Sequence, residues 1–171
     1  VTGQAVTVQL SKGDLVDPLK ALEMGQEGDV IVVDAGGDLN TSVCGGLMGG
    51  LAQNRGIRGM IVDGAGRDTD ELEEINWPIW TRAITPRGTH TMFSERREEL
   101  SINVPIACGG VVVNPGDFIV ADLMGVVVVP LESAEEVVRL AQEQADREVA
   151  TRAWVAQGKT VEDLLNEFGR I

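Results

Sequence analysis

The sequence predicts an α/β protein, with a sheet packed by helices. Apolar residues make up 43% of the chain and aromatic residues only 4%. The apolar residues are mostly valine, isoleucine, leucine and alanine, a composition typical of strands covered by helices. At 171 residues the chain fits one domain, residues 1–171, and a chain of this length buries roughly 70% of its unfolded surface. We therefore expect a single domain with a real hydrophobic core.

The charge of the chain limits its partners and its location. With 27 acidic and 14 basic residues the net charge is -13, so the overall field repels nucleic acid and anionic membranes. We expect neither as a partner, and an anionic substrate needs a local positive site. Cys44 and Cys108 lack CxxC spacing, which indicates reduced, buried thiols. No run approaches the ~18 apolar residues of a membrane span and no signal peptide is apparent, so we expect a cytoplasmic protein.

The first half of the chain alternates strand and helix patterns. Val6, Val8 and Leu10 alternate in a first strand that begins without an initiator methionine, so we expect natural N-terminal residues to be missing. A short helix is expected around Pro18, then the strand "GDVIVVDA" and the loop "GGDLNTSV". The segment "CGGLMGGLAQNRG" has helical spacing and opens on a glycine pair, and the strand "GMIVDG" follows it. This strand–helix–strand unit places "GRD" at a strand end.

The second half has shorter elements. We expect a strand in "WPIWTRAIT", a polar loop in "PRGTHTMFSERREEL", and a meander of three strands in "VPIACGGVVVNPGDFIVADLMGVVVVP" with a type II turn at "NPGD". A long helix then begins at a capping box of Ser133 and Glu136. Its apolar face repeats every four residues, and a second box, Thr160 with Asp163, opens the last helix. The residues of that face are Val137, Ala141, Ala145 and Val149.

Several kinds of chemistry can be excluded from the residues present. A Schiff-base lysine needs an apolar pocket, whereas Lys12, Lys20 and Lys159 lie in polar or terminal segments. His90 is the only histidine and lies in the polar loop, so catalytic triads and histidine-rich zinc sites are excluded and a plain surface role is favoured. The segment "VVDAGGDLN" has no GxGxxG pattern and no Walker lysine, which disfavours a nucleotide site.

The glycine pair and the "GRD" motif remain as candidates for function. Backbone N–H groups at a glycine-rich helix start can bind a carboxylate or phosphate. The planar guanidinium of Arg67 can hold a carboxylate and an adjacent carbonyl oxygen, and Asp68 can bind a hard cation such as Mg²⁺. Together these groups suit a 2-oxo acid bound beside a metal. The alternative is that Arg67 and Asp68 form a surface ion pair that caps the next helix.

At these residues the sequence resembles a known family. The segments "CGGLMGGLAQNRGIRGMIVDGAGRDTDEL" and "ACGGVVVNPGDFIVADLMGVVVVP" are similar to those of 4-hydroxy-4-methyl-2-oxoglutarate aldolase and regulator of ribonuclease activity A. The likeness extends from "GQAVTV" to the C-terminal helices. It implies a swivelling β/β/α domain of the phosphohistidine type, with an additional N-terminal helical segment in the family. It also implies a homotrimer or a pair of trimers, with active sites near subunit interfaces.

The resemblance also implies roles for individual residues. Backbone amides of the glycine loop would bind the pyruvyl carboxylate, and Arg67 would bind the keto and carboxylate oxygens. Asp68 would carry a divalent metal, most often Mg²⁺ with Mn²⁺ or Co²⁺ possible, and Glu71 would order the water around it. The residue after the first glycine of the loop is usually acidic in the family and is glycine here, and Met124 also replaces a common acid. The loop residues are Gly45, Gly46, Leu47 and Met48.

The resemblance implies a metal-dependent carbon–carbon lyase without a covalent intermediate. It would release pyruvate from 4-hydroxy-2-oxo acids by aldol cleavage, or from oxaloacetate by decarboxylation. Since the usual acid helps to remove the substrate hydroxyl proton, its replacement by Gly46 is expected to impair aldol cleavage more than decarboxylation. The alternative function is that of a non-catalytic acidic protein inhibitor of an RNA-degrading endonuclease, which would use negative charge to cover basic RNA-binding segments.

Overall fold

A computed structural model describes residues 1–89, 97–99 and 101–169 of the chain. Within it the chain forms two compact units, Val1–Leu131 and Glu132–Ile171, which are described separately below. The predicted polar loop falls partly on residues 90–96 and 100, which lie outside the described residues. The prediction of one domain over residues 1–171 stays a prediction.

The first unit is built on a six-stranded sheet with the order β4-β3-β2-β1-β7-β8. The four strands β1 to β4 pair in parallel, and β7 and β8 are added antiparallel beside β1. A separate antiparallel hairpin consists of β5 and β6. The elements in chain order are β1 (Thr2–Gln9), α1 (Val16–Met24), β2 (Val30–Cys44), α2 (Gly46–Asn54), β3 (Gly59–Gly66), α3 (Thr69–Glu74), β4 (Ile79–Ile84), β5 (Ile106–Cys108), β6 (Val111–Val113), β7 (Phe118–Asp122) and β8 (Gly125–Val129).

The core of this unit consists of two apolar clusters, built from alternating residues of the same strands. Val33 and Met60 belong to a cluster that includes residues of α1, α2 and α3. Val32 and Ile61, their neighbours in sequence, belong to a second cluster with residues of β5, β6 and β7. Successive side chains of a strand point to opposite faces, so the central strands are covered on both sides. The predicted α/β class is confirmed, with a mixed sheet.

Two expectations about strands are corrected. The segment predicted as the loop "GGDLNTSV" is part of β2, whose pairing with β3 shifts register after Asp34. Gly36 and Gly37 adopt φ of 62° and 70°, which lets the strand bulge instead of ending. The predicted three-stranded meander is wrong: four strands form two hairpins in different sheets, because β7 pairs with β1 rather than with β6. The "NPGD" turn does form, with Gly116 at φ 84°.

The second unit consists of two helices, α4 (Ala134–Ala156) and α5 (Val161–Phe168), and no residue of α4 is buried. The capping box predicted at Ser133 is absent, because Ser133 ends a 3₁₀ turn with helical backbone angles and its side chain makes no capping bond. The box of Thr160 and Asp163 is confirmed. Trp154 packs edge-on against Phe168, with ring centroids 5.4 Å apart. Among the described helices, none is both long enough and apolar enough to cross a membrane.

Candidate functional site

The candidate site lies at the carboxyl ends of the parallel strands β2 and β3. There the backbone N–H of Arg67 donates a 2.8 Å bond to the carbonyl of Cys44, which joins the two strand ends. From this point β2 continues into α2 and β3 continues into α3, so both helix starts lie at one edge of the sheet. Ligands of parallel α/β sheets bind at such an edge. The predicted strand–helix–strand unit is confirmed.

Arg67 is held between two glycines. A Cβ atom added to Gly45 would lie 2.9 Å from both Cγ and Nε of Arg67, and one added to Gly88 would lie 2.8 Å from the Nη1 atom of Arg67. Neither glycine has a positive φ, so backbone conformation does not require glycine at either position. The missing side chains instead leave room for the guanidinium group.

Asp68 is turned away from the helix that it precedes. It occupies the N-cap position of α3 in the left-handed conformation, with φ 52° and ψ 44°, but its side chain makes no capping bond to α3. Its Oδ2 atom accepts a 3.2 Å hydrogen bond from the backbone N–H of Gly46 and lies 3.3 Å from Nε of Arg67. The Arg67–Asp68 ion pair therefore exists, but Asp68 does not cap the next helix.

Glu71, in the first turn of α3, lies against the start of α2. A Cβ atom added to Gly46 would lie 2.8 Å from Cδ and 2.9 Å from Cβ of Glu71, and it would overlap the Oε2 atom. The carboxyl group of Glu71 thus occupies the space that a side chain at residue 46 would fill. We call Arg67, Asp68 and Glu71 the charged cluster, and the structure brings all three predicted catalytic residues together around Gly45 and Gly46.

The amides of the glycine loop are not equally available to a ligand. The N–H of Gly46 already donates to Asp68, and the N–H of Gly49 donates to the carbonyl of Gly45. Within the described chain, the amides of Leu47 and Met48 have no hydrogen-bond acceptor outside their helix. The amides of Leu47 and Met48, at the positive end of α2, are therefore the part of the predicted anion site that is available to a ligand.

A cavity of about 290 Å³ lies beside Arg67, and we call it the Arg67 cavity. It brings together four of the predicted substrate-binding residues, Gly45, Leu47, Met48 and Arg67. Gly46, Asp68 and Glu71 do not line it, although Asp68 contacts Arg67 directly. The other lining residues are Leu15, Leu19, Ser42, Val43, Cys44, Leu51, Gly88 and Thr89.

The cysteine of the Arg67 cavity lies in surroundings that disfavour a reactive thiolate. Burial, followed by the negative charge of Asp68, raises the pKa of the Cys44 thiol to about 12. Burial therefore favours the protonated thiol over the nucleophilic thiolate at Cys44. The prediction of a buried thiol is confirmed for Cys44, which is 1% exposed, whereas Cys108 is only partly buried.

A second cavity of about 340 Å³ is lined by residues of the second apolar cluster. Its polar groups include an ion pair between Asp63 and Arg82, and Asp63 also accepts a 2.8 Å bond from the N–H of Gly109. The bond from Arg82 lowers the pKa of Asp63 below its usual value. In this second cavity Asp63 and Arg82 neutralise each other, and no helix start among the described residues lies beside them to bind an anion. The Arg67 cavity, which adjoins the start of α2, is therefore the better candidate for a ligand site.

The charged cluster contains two carboxylates, and carboxylate oxygens are ligands that a small divalent cation prefers. Mg²⁺ typically uses one or two protein carboxylates and keeps several waters. Asp68 and Glu71 both place carboxylate oxygens beside Gly45 and Gly46, and the side chain of Asp68 is 35% exposed. No group of three or more His, Cys, Asp or Glu side chains suited to a metal occurs in residues 1–89, 97–99 and 101–169. His90 lies outside the described residues.

Gly88 and the leucines of α1 are site residues that the sequence patterns did not reveal. Gly88 lies in the segment after β4, which is tied to the neighbouring strands by bonds from Ser42 N–H to the carbonyl of Arg87 and from Thr85 N–H to the carbonyl of Gly66. Nothing in the local sequence signals that residue 88 packs against Arg67. Gly88 and Arg67 are 21 positions apart in sequence, and they meet only because β4 brings the chain back to the same edge of the sheet.

The glycine at residue 46 can be tested through stability. Gly50 also lies in α2, but a Cβ atom added there would meet nothing within 4 Å. Gly50→Ala should therefore raise the free energy of unfolding by about 0.5–1 kcal/mol, the usual gain for alanine over glycine in a helix. Gly46→Ala should give no such gain in the native chain, because its Cβ collides with Glu71.

The measurement is a double-mutant cycle by denaturant unfolding with Gly46→Ala and Glu71→Gly. If the contact is real, Gly46→Ala should become more favourable by about 0.5–3 kcal/mol once the side chain of Glu71 is removed. A coupling free energy near zero would show that Glu71 does not occupy this space in solution.

Comparison with known proteins identifies the family. Residues 1–128 match the model of the RraA-like family, described as Aldolase/RraA. A protein of Halalkalibacterium halodurans, provisionally named 4-hydroxy-4-methyl-2-oxoglutarate aldolase, is 44% identical over 154 residues, which are 90% of this chain and 71% of that protein. The 4-hydroxy-4-methyl-2-oxoglutarate aldolase of Thermus thermophilus is 38% identical over 111 residues, or 65% of each chain.

A solved structure gives the same result. RraAS2 of Streptomyces coelicolor, described as an unusual member of the RNase ES inhibitor RraA family, superposes with a TM-score of 0.77 at 36% identity. The match covers 90% of this chain and 77% of that one. The resemblance first seen at the glycine loop and "GRD" motif is therefore confirmed, and the chain belongs to the RraA-like family.

Proposed function

We propose that the protein is a divalent-metal-dependent carbon–carbon lyase that releases pyruvate. Its reactions would be aldol cleavage of 4-hydroxy-2-oxo acids and decarboxylation of oxaloacetate. The observation that carries this proposal is the placement of Asp68, whose carboxylate contacts Arg67 and the start of α2 instead of capping α3. Relatives named as aldolases support the same reaction class.

Arg67 would orient the substrate and stabilise the charge that develops on it. Its guanidinium can donate two bonds in one plane, to the C1 carboxylate and to the C2 carbonyl oxygen. The amides of Leu47 and Met48 would complete the carboxylate site. As the C3–C4 bond breaks, its electron pair forms a pyruvate enolate, and negative charge grows on the C2 oxygen beside Arg67. A donor fixed in advance at that oxygen lowers the barrier.

Asp68 would hold the divalent cation, most often Mg²⁺, with Mn²⁺ or Co²⁺ as alternatives. Glu71 would order the water around it. When bound, such a cation supplies Lewis-acid polarisation of the substrate oxygens. The left-handed backbone at Asp68 supports this role, because it accompanies a side chain that contacts the start of α2 instead of capping α3.

Gly46 does not leave the start of α2 without an acid. The family usually has an acidic side chain at this position, and here the carboxyl group of Glu71 occupies the space beside Gly46. A carboxylate is therefore present at the start of α2, although it belongs to Glu71 of α3 and not to residue 46. This supports aldol cleavage by the present chain, with Glu71 ordering the water that receives the C4 hydroxyl proton.

The alternative is a non-catalytic inhibitor of an RNA-degrading endonuclease. Two observations favour it: the similarity to RraAS2, which belongs to the RNase ES inhibitor family, and the net charge of -13. An inhibitor that works by surface charge does not need Arg67, Asp68 and Glu71 gathered around a glycine loop. We therefore prefer the enzyme.

We also propose a homo-oligomer, a trimer or a pair of trimers, in which each subunit has the swivelling β/β/α fold of the phosphohistidine type. The family resemblance is one support. The β7–β8 hairpin gives another, because Val120 and Val127 pair in register and both side chains are exposed, as are Leu123 and Met124 at its turn. A neighbouring subunit would remove this apolar surface from water.

The direct test of the proposed function is a coupled pyruvate-release assay. Substrates are a panel of 4-hydroxy-2-oxo acids and oxaloacetate, each with Mg²⁺ and with excess chelator. Asp68→Ala should reduce turnover at least about 100-fold while the fold survives, because residue 68 lies in a surface connection outside the core. The matched control, Asp70→Ala in the same helix turn, should keep the parental rate. Retention of more than half the rate by Asp68→Ala at saturating Mg²⁺ would show that Asp68 is not the ligand.

Arg67 and Gly88 provide a second test. Arg67→Lys keeps the charge but loses one of two parallel bonds, so kcat/KM should fall by about 30- to 1000-fold, equivalent to about 2–4 kcal/mol.

Gly88→Ala should lower kcat/KM about tenfold in the parent, yet have little further effect in Arg67→Lys, where the Nη1 atom is gone. Arg82→Lys, in the second cavity, is the control and should stay within threefold. A threefold or smaller effect of Arg67→Lys would leave "GRD" as a simple surface ion pair.

A further inference from the structure

A small third cavity adjoins the Arg67 cavity. It has a volume of about 10 Å³, and we call it the Lys12 cavity after the lysine that lines it. Val43 and Thr89 line both cavities. Val43 belongs to the first apolar cluster, so both cavities lie on the face of the sheet that α1 and α2 cover. A ligand in the Arg67 cavity therefore lies next to the cavity that Lys12 lines.

The turn between β1 and α1 brings Lys12 to this position. Gly13 adopts a φ of 80°, which allows the chain to turn sharply after Lys12. The carboxylate of Asp14 then accepts bonds of 2.6 and 2.9 Å from the N–H groups of Leu15 and Val16, which fixes the turn to the start of α1. Leu15 lines the Arg67 cavity. The same short turn thus contributes a leucine to the Arg67 cavity and a lysine to the cavity beside it.

The ammonium group of Lys12 is held near Asp38, and its donors remain available. Nζ of Lys12 lies 3.7 Å from Oδ1 of Asp38, and among the described residues this ammonium donates no hydrogen bond. The Lys12 side chain is 75% exposed, whereas that of Asp38 is 8% exposed and its Oδ2 atom has no described partner. A buried carboxylate therefore attracts an exposed ammonium whose three N–H groups can bind a ligand.

The spacing between Lys12 and Arg67 suits a ligand with two carboxylates. Asp38, which neighbours Lys12, lies opposite Gly64 of β3. Two residues later β3 ends at Gly66, and Arg67 follows. The level of Asp38 is therefore about 7 Å from the strand end. A five-carbon 4-hydroxy-2-oxo dicarboxylate with a hydrogen bond at each end spans roughly 10 Å, so one molecule can reach both cations.

We propose, on the basis of the function proposed above, that Lys12 binds a second carboxylate carried on C4 of the substrate. Arg67 holds the 2-oxo acid and Lys12 holds the opposite end, so C3 and C4 are fixed between two cations. The second carboxylate stays attached to C4 when the C3–C4 bond breaks. Lys12 therefore acts in binding and orientation, and it determines specificity for dicarboxylates without taking part in bond cleavage.

Oxaloacetate provides an internal control for this inference. Its second carboxylate is C4 itself, which leaves as carbon dioxide when the C3–C4 bond breaks and the electron pair stays on C3. A cation that bound this carboxylate would stabilise the reactant more than the transition state, in which the charge leaves that group. Lys12→Met should therefore keep kcat/KM for oxaloacetate within about threefold of the parental value.

The test compares two aldol substrates that differ only in the group on C4, a carboxylate or the uncharged carboxamide of similar shape. Lys12→Met removes the charge and should shift the ratio of carboxylate to carboxamide kcat/KM about tenfold toward the carboxamide, the effect of losing one charge-assisted hydrogen bond. Lys12→Arg keeps a cation and should retain most of the parental ratio. Comparing the ratio between variants removes the intrinsic reactivity of the two substrates.

Two further variants show whether the effect belongs to Lys12. Lys20→Met is the matched control, because Lys20 lies on α1, pairs with Glu23 at 2.9 Å and is not among the described residues that line either cavity. Its ratio should stay parental. Arg87→Met tests a rival cation, since Arg87 precedes Gly88 of the Arg67 cavity, and its ratio should also stay parental.

The outcomes separate this inference from the proposed function. A ratio that Lys12→Met leaves unchanged, or a ratio that Arg87→Met shifts instead, would overturn the role of Lys12 while the lyase stands. An equal loss for oxaloacetate and for the aldol substrates in Lys12→Met would also overturn it, because the effect would not depend on the second carboxylate. A lack of pyruvate from every substrate in the parent would overturn both.

Discussion

The hydrogen bond from the Gly46 amide to the Asp68 carboxylate is the interaction on which the proposed site depends. It joins the first residue of α2 to the residue before α3, and so connects the ends of two neighbouring parallel strands. The close approach requires a backbone without a side chain at residues 45 and 46, because Arg67, Asp68 and Glu71 occupy that space. The glycine pair therefore accommodates three charged side chains, in addition to providing amides for an anion.

The energetics of this arrangement favour a functional explanation. The side chains of Arg67 and Asp68 are 43% and 35% exposed, and an ion pair with this exposure contributes about 0–1 kcal/mol to stability. The left-handed backbone of Asp68 costs of the order of 1–3 kcal/mol. Here the side chain contacts the neighbouring helix, next to a cavity that combines one cation with an apolar wall.

Much of this site could be predicted from the sequence, because its residues lie in two short segments at strand ends. The helix start at the glycine pair and the strand that ends at "GRD" followed from local periodicity and turn chemistry. The packing of Glu71 against Gly46 could not be derived, since it depends on the distance between two helix starts. The roles of Gly88, Leu15 and Leu19 depend on contacts between segments distant in sequence. The course of β2 through Gly36 and Gly37 was missed for a related reason, because glycines that usually mark a loop also permit a bulge in a strand.

The central claim is that a 2-oxo acid and a divalent cation bind together at the charged cluster, and thermal unfolding with pyruvate and Mg²⁺ tests it most directly. A ligand at a hundred times its Kd stabilises the folded state by about 2.7 kcal/mol, which is roughly 5–10 °C for a chain of this size. We expect pyruvate and Mg²⁺ together to raise the Tm by more than the sum of their separate effects, and this excess to disappear in Asp68→Ala. A Tm unchanged by the two ligands, or an equal response in Asp68→Ala, would contradict a shared site and favour the inhibitor.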